Sequence, residues 1–266
     1  MNYIEKLKRV IKKNKSNLVV GLDPDIRKIP RLYLKSKNPI FEFNKSIINS
    51  TKDIVAGYKL NLAFYEALGK YCYETIENTL QYIPKDLLKI CDGKRGDIGN
   101  TDEYYVKAYF DDLDFDSMTV NPYMGRDSVE PFLSRKDKGI YILVLTSNKG
   151  NEDFQQKKIG KKYLFEEVIE KCIEWDKKKQ IGFVIGANHT ELIKKITTKY
   201  PNIPLLIPGI GAQGNDLNVL LKSIKNNNYL INASRSIIYD SADFKSIREF
   251  ENIVRMKAED LSDLIG

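Results

Sequence analysis

The chain has 266 residues, 42% hydrophobic, 11% aromatic and 30% charged, with a formal net charge of +7. That length suits one large core, and a single α/β barrel of about 250 residues is the natural candidate. No run reaches the roughly 18 apolar residues of a membrane span, and Cys72, Cys91 and Cys172, widely spaced and accompanied by a lone His189, supply neither a zinc ligand set nor a disulfide framework.

The amino terminus, Met1 to Lys13, reads as an amphipathic helix over about residues 1–14, without the apolar region or cleavage site of a signal peptide. A soluble, cytoplasmic protein is expected. Beyond it, short apolar runs alternate with longer stretches of helical period. The runs are Leu18 to Asp23, Val55 to Lys59, Leu88 to Asp92, Met118 to Asn121, Ile140 to Thr146, Gly182 to Gly186, Leu205 to Pro208 and Tyr229 to Ala233. Their ends recur every 30 residues or so, about the length of a strand, a helix and two short loops. Near-continuous Val, Ile and Leu content marks strands covered on both faces, as parallel strands are.

Between the strands, residues 61–80 read as one helix with an apolar face through Leu62, Tyr65, Leu68, Cys72 and Ile76. Tyr163 to Trp175 and Asp243 to Leu261 read the same way, and Pro84, Pro131, Pro201 and Pro204 fall at element borders. No linker interrupts the series, so residues 1–266 are expected to form a single-domain (β/α)8 TIM barrel. His189 lies just after an apolar run, where capping a helix or facing solvent competes with lining a pocket. The lysines at 157, 158, 161, 162 and 177–179 read as solvated helix faces.

In such a barrel the active site lies where the strands end. Collecting polar residues there gives Asp23, Lys59 with Asn61, Asp92 with Lys94, Asn121, Thr146 with Ser147, Pro208 before a glycine loop, and Ser234 with Arg235. Asp92 to Thr101, D-G-K-R-G-D-I-G-N-T, carries alternating charges beside small residues. Asp92 and Lys94, two apart at a strand end, share a face, and each biases the other toward its charged form. The competing reading is a surface salt bridge at a helix cap. The loop Pro208 to Asp216, P-G-I-G-A-Q-G-N-D, and the segment N-A-S-R-S, Asn232 to Ser236, follow the last two strands, where barrels bind phosphate. Gly209, Gly211 and Gly214 would let backbone approach an anion, with Gln213 and Arg235 reaching its oxygens. An ordinary tight turn is the alternative.

Taken in order, G-L-D-P, Y-K-L-N-L-A-F-Y-E, D-G-K-R-G-D-I-G-N-T, L-T-S-N and P-G-I-G-A-Q-G, spanning Val19 to Tyr239, closely resemble the orotidine 5′-phosphate decarboxylase family. The longer, type 2 variety is the better match. Gly93, where alanine is commoner, and Ser234, where some relatives carry glycine, depart from the pattern without removing a reactive group.

The resemblance implies an enzyme that forms uridine monophosphate and carbon dioxide in pyrimidine synthesis through a charge array of Lys59, Asp92, Lys94 and Asp97. Lys94 would donate the proton, and Asp97 would come from the second subunit of a homodimer. Asp23, Lys59 and the partner subunit's Thr101 would hold the ribose, with Asn61 in support. Ser147, after Thr146, would read the pyrimidine edge, Gln213 and Arg235 would grip the phosphate, and Thr146, Pro208 and Ser234 would also bind substrate. No metal or other cofactor is implied. Two rivals stand beside this reading. One is a magnesium-dependent sugar-phosphate decarboxylase or aldolase of the same superfamily. The other is a basic nucleic-acid-binding protein, suggested by a pI near 9.0 but not by the even spread of lysines.

Overall fold

Eight apolar runs become eight parallel strands that close on themselves. The computed structural model describes residues 1–210, 217–240 and 244–265. The strands are β1 (Leu18–Leu22), β2 (Gly57–Asn61), β3 (Leu88–Arg95), β4 (Ser117–Val120) and β5 (Gly139–Leu145). A separate antiparallel hairpin, β6 (Lys158–Ile159) with β7 (Lys162–Tyr163), follows. The barrel resumes with β8 (Ile181–Ile185), β9 (Leu205–Pro208) and β10 (Tyr229–Ala233). Around the barrel the order is β1-β10-β9-β8-β5-β4-β3-β2, and β1 closes it by pairing with β10 on one side and β2 on the other. This is the (β/α)8 architecture expected from the alternation of runs. Every residue of β1 and β8 is buried, which is why those segments read as unbroken hydrophobic runs.

The helices are α1 (Tyr3–Asn14), α2 (Pro39–Thr51), α3 (Leu62–Glu66), α4 (Cys72–Tyr82), α5 (Asn100–Val106), α6 (Leu164–Trp175), α7 (Thr190–Lys199), α8 (Leu217–Ser223), α9 (Arg235–Ile238) and α10 (Ile247–Ile265). A capping box starts α1: Asn2 Oδ1 accepts the Glu5 N–H at 2.9 Å, and Glu5 Oε2 accepts the Asn2 N–H at 2.9 Å. The buried face of α1, Tyr3, Leu7 and Val10, covers the end of the barrel where strands begin. A Cβ on Gly139, the first residue of β5, would lie 2.2 Å from Tyr3 Cδ1, so glycine is needed for the Tyr3 ring to seat there. The Tyr3 and Tyr141 hydroxyls are 2.7 Å apart, and Lys6 Nζ reaches both carboxylate oxygens of Asp116 at 2.7 Å.

Three sequence expectations need correcting. Residues 61–80 are not one helix: Asn61 closes β2, α3 ends at Glu66, and Gly69 takes φ +59 before α4 begins. The apolar phase hid the break because Leu62, Tyr65, Cys72 and Ile76 are buried on both sides of it. Second, β3 runs past Asp92 to Arg95, with a register irregularity against β4 between Cys91 and Arg95 and Lys94 at φ +48. Third, the last long helix spans Ile247–Ile265 rather than ending at Leu261. The lysines at 157, 158, 161 and 177–179 are exposed, and Lys162 is partly so.

Candidate active site

At the carboxyl ends of the strands, three neighbouring strands deliver charge to one point. Lys59 of β2 is buried, its side chain 5% exposed, and donates to Asp92 Oδ2 of β3 at 2.9 Å. Lys94, two residues beyond Asp92, donates to Asp92 Oδ1 at 2.6 Å, and its side chain is 48% exposed. The array therefore has a dry cation, a dry carboxylate and a cation open to the rim. The salt-bridge reading of Asp92 and Lys94 as a helix cap does not apply, because both lie on a strand. Asp23, just after β1, places Oδ1 3.6 Å from Lys59 Nζ, and that buried oxygen accepts no hydrogen bond among the described residues.

These charges hold one another ionised. Burial by itself would raise the Asp92 carboxyl, but the charges of Lys59 and Lys94 and their hydrogen bonds hold it well below the usual carboxylate range. Burial likewise works against the Lys59 ammonium, and Asp23 and Asp92 more than reverse it, raising Lys59 above its ordinary value. A fixed positive group beside a dry carboxylate stabilises negative charge developing nearby and carries a proton to give.

Sequence reasoning missed Thr119. Its hydroxyl donates to Asp92 Oδ1 at 3.0 Å and accepts the Lys94 N–H at 2.9 Å. The only sequence signal was one polar residue inside the β4 run, and threonine is an ordinary strand former. Tyr239 was also missed as a brace: its hydroxyl donates to the Asp23 carbonyl at 2.9 Å and accepts the Asp25 N–H at 2.5 Å, fixing the turn after β1.

Around the same rim, Asn61 Oδ1 accepts the Ala63 N–H at 3.2 Å and starts α3. Thr146, after β5, is held by Gln155 Oε1, which accepts its N–H at 2.8 Å, while its carbonyl accepts from Asn151 Nδ2 at 2.7 Å. His189 sits at the N-cap position of α7 but does not cap through its ring. Its Nε2 lies 3.0 Å from the Thr146 carbonyl and 3.4 Å from Asn151 Nδ2. The histidine thus braces the rim instead of facing solvent. A Cβ on Gly186 would fall 2.8 Å from Ser147 Cβ, so glycine leaves room for partly buried Ser147.

Pro208 ends β9 opposite Asn232 of β10. Ser234 packs over Gly21, where a Cβ would come within 1.9 Å of Ser234 Oγ. Arg235 opens α9 with an exposed side chain that makes no hydrogen bond or ion pair among the described residues. Gln213, Gly211 and Gly214 lie outside the described residues. Asp97 and Thr101 make no hydrogen bond or ion pair with the array among the described residues: Asp97 Oδ1 accepts the Ile98 N–H at 2.7 Å, and Thr101 is exposed. Asn121, beyond β4, turns its Oδ1 to the Tyr123 N–H at 3.1 Å.

Comparison with known proteins matches residues 16–250 to the family model described as orotidine 5′-phosphate decarboxylase / HUMPS family. The chain belongs to this family. An orotidine 5′-phosphate decarboxylase of Dehalococcoides mccartyi is 47% identical over 273 aligned positions, covering 100% of this chain and 98% of the relative. One from Christiangramia forsetii is 46% identical over 250 positions, covering 91% and 92%. The solved structure of Leishmania donovani OMP decarboxylase superposes with a TM-score of 0.84 at 30% identity, covering 100% of this chain and 97% of that one.

Proposed function

We propose that this chain catalyses decarboxylation of orotidine 5′-phosphate to uridine 5′-monophosphate, with Lys94 as proton donor. The enzyme is a carboxy-lyase of pyrimidine synthesis. The family description spans two activities, and the relatives alike along the whole chain are orotidine 5′-phosphate decarboxylases. Neither rival reading has that support.

The observation that carries the mechanism is Asp92 held between Lys59 at 2.9 Å and Lys94 at 2.6 Å. As the bond to the substrate carboxylate breaks, the electron pair stays on the ring carbon and carbon dioxide leaves. The Lys94 ammonium stabilises that carbanion and then gives it a proton. Asp92 lies against the departing carboxylate and aims Lys94. The buried Asp23 Oδ1, which accepts no hydrogen bond among the described residues, suits a sugar hydroxyl as donor, with Lys59 and Asn61 beside it. Thr146 and Ser147 face the pyrimidine. Gln213 and Arg235 would grip the phosphate, Arg235 as a guanidinium fork that is unpaired among the described residues, with Pro208 and Ser234 also contacting substrate. Binding energy at the remote phosphate then supports chemistry at the ring.

A homodimer in which the partner supplies Asp97 and Thr101 belongs to the same reading, supported by the exposure of Thr101 and by the lack of any bond from either residue to the array among the described residues. So do metal independence, a single catalytic domain over residues 1–266 and a cytoplasmic location. Three buried free cysteines suit a reducing compartment, and no helix among the described residues is long and apolar enough to cross a membrane. The deciding experiment follows the ultraviolet absorbance of orotidine 5′-phosphate with chelator present, alongside Lys94→Ala. Loss of substrate absorbance with the unaltered chain alone is the expected result. No change with either protein would overturn the assignment.

A further inference from the structure

The segment between β3 and α5 carries two of the proposed site residues on a mostly exposed loop. Ile98, Gly99, Asn100 and Thr101 are exposed, Asp97 is half-buried, and Gly99 takes φ +49. The next residue, Asp102, is fully buried at 0% exposure. Its Oδ1 accepts the Asp97 N–H at 3.0 Å, closing the loop on itself, while the Thr101 N–H donates to the Ile98 carbonyl at 3.2 Å inside that closure. The other carboxyl oxygen, Oδ2, is buried and has no hydrogen-bond partner among the described residues.

A buried carboxyl oxygen without a partner opposes folding, and an apolar side chain would avoid that. Burial pushes this carboxyl up to about 6, partly relieved by the Asp97 N–H and aggravated by the charges of Asp97 and Glu103. Among the described residues, the one hydrogen bond the Asp102 side chain makes in return is to the Asp97 N–H. We propose that Asp102 is a positioning residue for the reaction, its buried carboxyl fixing the backbone that presents Asp97 and Thr101 to the active site. The inference rests on the proposed reading that these two residues serve a site shared between subunits.

The test compares Asp102→Leu, which keeps bulk and loses the acceptor, with Asp102→Asn, which keeps the acceptor oxygen. Displacement of reacting groups by about an ångström lowers rate by up to about a hundredfold. Asp102→Leu is therefore expected to lose between about tenfold and a hundredfold in kcat/KM, and Asp102→Asn to recover most of it. Mixed dimers supply a readout that general destabilisation would not move. Asp102→Leu mixed with Lys94→Ala should regain activity, because one site combines an intact loop with an intact Lys94. Asp102→Leu mixed with Asp97→Ala should not, because both chains then carry a faulty loop. Rescue in that second mixture, or full activity of Asp102→Leu alone, would overturn the proposal.

A control mixture of Lys94→Ala with Asp97→Ala separates the two levels of inference. If that mixed dimer is silent, the shared-site reading fails, and the kcat/KM of the leucine and asparagine variants alone decides the role of Asp102. If Asp102→Leu does not fold, Asp102→Ala takes its place in every mixture. An unaltered chain without turnover would sink the proposed function and this inference together.

Discussion

Thr119 gripping Asp92 is a short-range relationship with a long reach, because one hydroxyl fixes the carboxylate and the backbone of its neighbour together. The hydroxyl donates to Asp92 Oδ1 at 3.0 Å and accepts the Lys94 N–H at 2.9 Å. Lys94 has φ +48, so its backbone needs an outside anchor to stay where its ammonium meets Asp92. Thr119→Val keeps the shape and removes both bonds. Hydrogen bonds to charged groups contribute about 1.5–3 kcal/mol, so kcat is expected to fall about tenfold or more with KM little changed. Thr119→Ser should retain most activity. Steady-state kinetics of the two variants checks this, and a valine variant as fast as wild type would refute it.

Asp92 also matters for stability. Removing one partner of a buried ion pair leaves the other charge uncompensated, typically costing about 3–5 kcal/mol. Asp92→Ala would leave Lys59 with Asp23 at 3.6 Å as its remaining ion pair. Because the folded carboxyl is held below its unfolded value, its contribution is present above the unfolded pKa near 4 and is lost as pH falls through the lower folded value. Lys59, raised in the fold, contributes below its unfolded value near 10.4 and loses that contribution as pH rises through the higher folded one. Denaturant unfolding should therefore show the variant less stable at pH 7, with the difference shrinking below about pH 4. A constant difference down to pH 2 would contradict the depressed Asp92 carboxyl.

The barrel was legible because parallel strands are buried on both faces and must be written in Val, Ile and Leu. The break at Gly69 was not, because two short helices packed on one layer keep a single apolar phase. The end of β3 was hidden for the opposite reason: Asp92 to Arg95 are charged or small and look like a loop, although they continue the strand. In the site, Lys59, Asp92 and Lys94 announced themselves as charges at strand ends. Thr119 did not, since a buried threonine in a strand usually reflects β propensity. Nor did Asp102, which lies in the first turn of α5. Its burial and its bond to Asp97 depend on how the preceding loop folds back, which no local pattern encodes.

Asp102 makes a pH prediction opposite in sign to that of Asp92. Its carboxyl is pushed up to about 6 from an ordinary 3.8, first by burial and then by the charges of Asp97 and Glu103. Between those values the folded chain holds more proton than the unfolded chain, so stability falls as pH rises through this window and then levels off. Asp102→Asn removes the titration and leaves a pH-independent change in its place. The melting temperature of the variant, measured against wild type, should therefore improve from pH 4.5 to pH 7.5. A difference that stays constant over that range would show that Asp102 is not held protonated by its surroundings.

The far end of the barrel offers a test of packing separate from catalysis. Tyr3 of α1 and Tyr141 of β5 share a hydroxyl contact at 2.7 Å, with rings edge to face at 6.0 Å between centroids. Both side chains are buried, with the Ser117 side chain beside the Tyr3 hydroxyl. Tyr3→Phe strands the Tyr141 hydroxyl and should cost about 1–3 kcal/mol, while Tyr141→Phe leaves the Tyr3 hydroxyl beside Ser117 and should cost less. The double variant leaves no stranded Tyr141 hydroxyl and should lose less than the sum of the two singles. Because the contact lies near Gly139, where β5 begins, kcat should stay close to wild type in all three. Additive losses in denaturant titrations would mean that the two hydroxyls act independently in holding α1 to the barrel.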